Sequence, residues 1–329
     1  MTSSAASVTS CAPGVMSAPD AGQREAIDPE ARFLEAARVA SLAKPRIAAG
    51  RLDGPSVLDA VLEGAASEGA SAVVRHPGTI ALTLIGAPSA HRRPLAYARL
   101  AEALGAHVVP RTVARHLGAG EITALLEAQP LLLARLRPLL AVQNDGTVIA
   151  LLSTPSTPST AAAGDAWAQP VVTALHPTSA ILVKRWEAWA AAPAPVPGES
   201  TPLARDFVEM LALDYLAGHG TRRAVLYVPE REALILEDNR EAFPDHVQRA
   251  LVDPLLRRLR GVARFPRGLR EALARFDRDR AEAALHPGGF EEWLVSPRSL
   301  VELEERRAGL LSLIEAQIAL RGEAAVLSL

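Results

Sequence analysis

The sequence predicts a mixed α+β fold in which small β-hairpins alternate with helices and the last quarter of the chain is helical. Three observations carry this reading. Turn residues separate β-rich runs at 76–78, 144–146 and 229–231. Apolar residues recur at helical spacing between Leu203 and Leu216 and again beyond Asp245. The hydrophobic share, 49% of 329 residues, is enough to bury a substantial core.

Taken in order, residues 1–27 are Ser/Ala/Thr-rich and read as a disordered tail. Two helical patterns form a preface over 28–69: Pro29–Ala43, with Phe33, Leu34, Ala37 and Val39, and Ser56–Ala66, with Val57, Leu58, Val61 and Leu62. SAVVR and TIALTLI then read as two strands turning at His76, Pro77 and Gly78. A helix over Arg93–Leu104 stops at Gly105, and VVPRTVARHL is strand-like around Pro110. A short helix over Glu121–Glu127 precedes a second hairpin, LLAVQNDGTVIALLS, with its turn at Asn144, Asp145 and Gly146.

Residues 153–169 form a low-complexity Ser/Thr/Pro/Ala loop, and APAPVPG at 192–198 marks a lobe boundary. Past it, a helix over Leu203–Leu216 closes at Gly218, and RAVLYV and EALILE form a third hairpin. Helices follow over Asp245–Arg260, Arg267–Asp279 and Ser299–Leu320. This division places one lobe at 70–198 and a helical lobe at 199–329.

Composition removes several function classes. With 35 basic and 37 acidic residues the net charge is -2, so no overall field selects nucleic acid, and no nucleic-acid partner is expected. One cysteine, Cys11, excludes an internal disulfide and a thiolate zinc site. No apolar run reaches the roughly 20 residues of a membrane span, and without a basic, apolar leader the expectation is a soluble, cytoplasmic protein. There is no HExxH pair, and GESTP at 198–202 is not a GxSxG elbow. LGAGEI at 117–122 lacks the third glycine of a dinucleotide fingerprint. The two lysines, Lys44 and Lys184, lie outside any Gly-rich phosphate loop. The run 257–280 holds nine arginines against three acids, with Leu, Val and Phe interleaved at helical spacing. It reads as two amphipathic helices with solvated arginine faces rather than as a phosphate grip.

The segment LALDYLAGHGTRRAVLYVPEREALILEDNREAF, 211–243, is the most informative. LDYLAG at 213–218 with Arg222, followed by Asp238, Asn239, Ala242 and Phe243, resembles the catalytic core of an atypical kinase lineage. That lineage includes the HipA-type kinases, the four-jointed secretory-pathway kinases and, more distantly, the phosphoinositide kinases. The resemblance implies a two-lobed kinase-like fold, a small β-containing N-lobe and a mainly helical C-lobe, with ATP and magnesium as ligands. It makes Asp238 the metal ligand, Thr221 the occupant of the catalytic aspartate position and Arg222 its neighbour in the catalytic loop.

The departures mark a degenerate member. His219, Gly220 and Thr221 stand where the lineage has Asn-x-Asp, and a hydroxyl is no base at neutral pH. Upstream, 92–117 resembles the N-lobe helix and strands, but Pro94 stands where a Glu opens the helix. Arg75 stands for the strand lysine that meets nucleotide phosphates, and Glu102 comes two turns late. The expected function is a pseudokinase or nucleotide-binding module acting on an unknown protein partner. The alternatives are a divergent active phosphotransferase, using Asp238 or Asp214 for proton handling, and a purely structural interaction protein.

Overall fold

The computed structural model describes residues 38–46, 56–65, 73–127, 130–154, 173–286 and 293–329. The expected tail over 1–27 and most of the loop over 153–169 lie outside them. The architecture is α+β, as the sequence implied, with two antiparallel sheets and ten α-helices among the described residues.

The larger sheet runs β1(Arg38–Arg46), β2(Ser56–Ala65), β3(Val73–Leu82), β5(Thr147–Thr154), β4(Arg111–Gly118), all antiparallel. Two expectations are corrected here. Where it is described, at 38–46 and 56–65, the expected helical preface is strand: β1 pairs β2, and β2 pairs β3 over ten residues. Apolar positions at 57, 58, 61 and 62 satisfy a helical stripe, but so short a run is taken up between two strands, where ladder hydrogen bonds on both sides outweigh intrinsic preference. Nor do His76, Pro77 and Gly78 turn the chain, because β3 runs straight through them, with Pro77 opposite Val61. β5 joins β3 over Thr79–Leu82, so among the described residues Pro77 lies where β3 is paired on one side alone, the kind of position at which a sheet tolerates proline.

The turn at Asn144–Gly146 forms as expected: Asp145 accepts from the Thr147 backbone N–H at 2.9 Å and Gly146 takes φ +80°. Its first arm is reduced to a single bridge, Val142 to Val148, and β5 pairs instead with β3 and β4. Alternation along β5 then serves two cores. Val148, Ala150 and Leu152 face a small cluster with Val113, Leu117, Ile122 and Leu126, while Leu151 joins the large core. The small cluster is closed by α2(Ala119–Leu126) and α3(Pro130–Leu136).

The remainder assembles around one helix. α1(Arg92–Ala103), ended by Gly105 at φ +65°, and α4(Ile181–Ala191), which the sequence reading did not anticipate, pack with α5(Thr201–Leu216) in the large core. The second sheet, β6(Thr173–Leu175), β7(Val225–Val228) and β8(Ala233–Ile235), and helices α6(Arg249–Gly261), α7(Arg267–Arg275), α8(Arg278–Leu285), α9(Pro297–Arg321) and α10(Glu323–Val326) complete it. Several arginines of 257–280 are committed internally rather than solvated. Arg264 is fully buried against Glu199 at 2.7 Å and the Ala192 carbonyl, and Arg258 meets Glu187 at 2.7 Å. Among the described residues, no helix is long and apolar enough to cross a membrane.

α5 is buried on nearly every face, which forces three acids inside with it: Asp206, Glu209 and Asp214. Asp206 accepts from the Leu234 N–H at 2.9 Å and so ties β8 to the helix. Glu209 accepts from the His107 N–H at 3.3 Å and so ties down the turn after α1. Burial pushes Asp206 up to about 6 and Glu209 up to about 7, against partial relief from Arg205 and the backbone N–H groups.

Both folded-state values exceed the unfolded ones, so between about pH 4 and 7 the native state binds more protons. Stability therefore falls as pH rises through that window. Urea midpoints should be higher at pH 5 than at pH 8, and the Asp206→Asn/Glu209→Gln double variant should flatten that slope. An unchanged slope in the double variant would assign the pH dependence elsewhere.

Candidate functional site

The end of α5 delivers the first part of the site. Leu213–Leu216 completes the helix, and Gly218 at φ +66° reverses the chain, placing His219 and Thr221 on the turn that follows. Gly220 is fixed by space: a Cβ there would stand 2.4 Å from the Leu251 carbonyl oxygen. The second part comes from the stretch after β8, where Asp238 at φ +56° and Phe243 at φ +48° both hold left-handed backbone. Aspartate tolerates that region, but a bulky aromatic does so only where its surroundings fix it. Here the Phe243 N–H donates to the Ala217 carbonyl at 2.7 Å and the ring is buried.

A buried polar knot joins the two parts. Arg222 donates through Nε and Nη2 to both oxygens of Asp214, at 2.7 and 2.6 Å. Nη2 also reaches the Tyr97 hydroxyl at 3.0 Å and Asn239 Oδ1 at 2.9 Å, and Nη1 donates to the Glu237 carbonyl at 3.1 Å. Tyr97 donates its hydroxyl to Asp214 Oδ1 at 2.7 Å, and Asn239 donates to the Leu236 carbonyl at 3.0 Å. Arg222 thus grips residues 237 and 239 and holds the carboxylate between them outward. Burial lowers the Arg222 pKa, but Asp214 and Tyr97 more than reverse this, so the guanidinium stays charged. Burial, then the Asp214 charge, raise Tyr97, so its hydroxyl stays a donor.

Asp238 and Thr221 line one cavity of about 460 Å³. Its wall also carries His219, Phe243, Ala87, Ser89 and Ala90 just before α1, and Trp293–Ser296 just before α9. Four arginines, Arg92, Arg93, Arg223 and Arg240, face three acids, Asp238, Glu241 and Asp245. Arg240 lies on Asp238 at 2.5 Å and Arg93 on Asp245 at 3.3 Å. Burial works to raise the Asp238 pKa, but the Arg240 hydrogen bond and charge, with His219 and Arg223, hold it below the usual carboxylate range. His219 is 2% exposed; its Nε2 is 3.4 Å from the Asp238 carbonyl, and its Nδ1 has no hydrogen-bond partner among the described residues. Burial lowers its pKa, which leaves a neutral imidazole at neutral pH.

The sequence-derived residues therefore divide. Thr221 and Asp238 share the cavity. Arg222 does not line it, and Asp214, offered as an alternative proton acceptor, is buried beneath Arg222 at 3% exposure. For Arg75 only the backbone is described, on β3 opposite Glu63. Glu102 sits at the far end of α1 with Arg99 at 3.3 Å and Arg111 at 3.7 Å, away from the cavity. The sequence reading did not single out Arg92, Arg93, Arg223 and Arg240, which carry no spacing signature. Nor did it find the Tyr97–Asp214 contact, which bridges 117 positions.

No family model matches the chain, and no curated protein matches it by sequence. Solved structures do match by fold. A hydra Fam20 structure with sugar is similar at 15% identity and a TM-score of 0.54, over 90% of this chain and 90% of that one. A Golgi casein kinase is similar at 14% identity and 0.54, over 90% and 78%. The Golgi casein kinase with Mn/ADP bound is similar at 14% and 0.54, over 88% and 76%. The fold is thus the kinase-like one that the motifs at 211–243 implied.

Removing Arg222 strands the Asp214 charge in the core. Arg222→Ala should cost about 3–5 kcal/mol in urea unfolding, and an Arg222→Met/Asp214→Leu pair should recover most of it. A loss below about 1 kcal/mol in the single variant would show that the knot does not hold the loop.

Proposed function

We infer that this is a kinase-fold protein that binds a nucleotide-type ligand in the Asp238 cavity and is impaired in phosphoryl transfer. One observation carries the reading: Thr221 and Asp238, placed by separate elements, line the same arginine-rich cavity, with a hydroxyl where the resemblance puts the catalytic carboxylate. Phosphoryl transfer depends on a group that orients the nucleophile and on charges that hold the phosphates, and these act as a unit. The phosphate charges have counterparts here in the arginines, while the carboxylate base has none at 221.

The fold neighbour bound to Mn/ADP raises the question of a divalent cation, and the residues of this cavity do not fit one. The Asp238 carboxylate is already held by Arg240. Asn239, the other candidate ligand of its motif, turns inward to Arg222 and Leu236. Among the described residues, no three His, Cys, Asp or Glu side chains gather as a metal-binding group.

A second reading, a divergent active phosphotransferase, is favoured by His219 alone: it is a neutral imidazole in the cavity wall whose Nδ1 has no partner among the described residues, and such a group accepts protons. The cytoplasmic expectation draws no support from fold neighbours named for the Golgi.

ADP should raise the melting temperature of the wild type, and ATP turnover should be absent or slower than an active kinase by several orders of magnitude. Turnover abolished by His219→Ala would favour the enzyme. No thermal response to ADP or ATP would favour the structural interaction protein.

A further inference from the structure

Positive charge in the cavity is distributed unevenly. Asp238 and Asp245 are matched by Arg240 and Arg93, whereas Arg92 and Arg223, both exposed, form no ion pair with a carboxylate among the described residues, although Arg223 lies close enough to Asp238 for its charge to be felt there. α1 begins at the same wall without a side-chain cap, so the positive end of its dipole adds to that charge. Beneath lies the 2%-exposed His219 with its unsatisfied Nδ1, a polar atom that burial would not leave bare without a ligand or solvent to meet it.

We propose that this cavity binds the phosphates of its ligand without a divalent cation: the Arg240 guanidinium takes the place at Asp238 that a metal would occupy, and Arg92 and Arg223 meet the phosphate oxygens. The proposal rests on the nucleotide-type reading above and deepens it. A metal at a phosphate site supplies positive charge between a carboxylate and the phosphate oxygens. A guanidinium supplies the same sign with planar paired donors, and it is tethered two residues from the carboxylate it neutralises. A cation entering from solution would first have to displace Arg240 from Asp238. Arg92 and Arg223, exposed in the cavity wall and without such an ion pair among the described residues, are open to an incoming anion.

The test is calorimetric titration of the full chain with ADP, once in EDTA and once with Mn²⁺. The affinity should agree within about threefold between the two conditions, and pyrophosphate should compete with ADP in EDTA, since the phosphates carry the recognition. Arg92→Ala and Arg223→Ala should each weaken ADP about tenfold in EDTA. Both side chains are exposed, so melting curves should show these variants folded. Arg240→Ala, which uncovers Asp238, should make ADP binding respond to Mn²⁺. Binding that requires Mn²⁺ in the wild type overturns the proposal and leaves the nucleotide reading standing. Failure of pyrophosphate to compete, or unchanged affinity in both arginine variants, overturns the assignment of Arg92 and Arg223. No ADP binding in either condition removes the nucleotide reading and the proposal together.

Discussion

The site depends on one buried ion pair, Arg222 with Asp214. A charge at this depth is tolerated only when every donor and acceptor around it is matched, and here the match draws on four parts of the chain. Asp214 comes from α5, Arg222 from the turn after it, Tyr97 from α1, and Glu237 and Asn239 from the stretch after β8. The pair adds little net stability over a hydrophobic substitute, since desolvation offsets most of its attraction. Its consequence is geometric: it welds the loop that bears Thr221 to the loop that bears Asp238.

That weld explains how two uncommon backbone conformations persist within six residues. Left-handed φ at Asp238 and Phe243 costs of order 1–3 kcal/mol each, and such strain survives only where neighbours over-determine it. Arg222 fixes the residues on either side of Asp238, while Ala217 accepts the Phe243 N–H and the large core holds the ring. The result is a carboxylate presented to a cavity on a rigid mount, although the residue itself is exposed.

Periodicity along the chain made the helical half legible. The stretch from Leu203 to Leu216 shows its spacing and its closing glycine, and the third hairpin shows its polar turn; all three appear where expected. The large sheet was less legible because its strands are defined by partners rather than by their own pattern. Ser56–Ala65 is strand through its pairing with β1 on one side and β3 on the other, and Pro77 lies in a stretch of β3 that, among the described residues, is paired on one side alone. At the cavity, the motif order singled out Asp238 and Thr221, and both line it. It could not disclose that Arg222 points inward rather than to the cavity, because direction depends on Tyr97 and Asn239, contacts that span 125 and 17 positions. The arginines of the wall come from separated short segments, and no spacing rule links them.

Charge then decides what the cavity can hold. A carboxylate that faces solvent near other positive groups attracts whichever cation is nearest, and effective concentration favours a tethered one over a dissolved one. Arg240 is two residues from Asp238 and already within hydrogen-bond distance, so the local carboxylate is neutralised before any ligand arrives. With Asp245 likewise matched by Arg93, Glu241 is the remaining acid against Arg92 and Arg223. The cavity therefore meets an anion with excess positive charge and meets a cation with its best carboxylate occupied. The fold is that of a kinase, while the polarity of this wall is set by arginines that the motif does not contain.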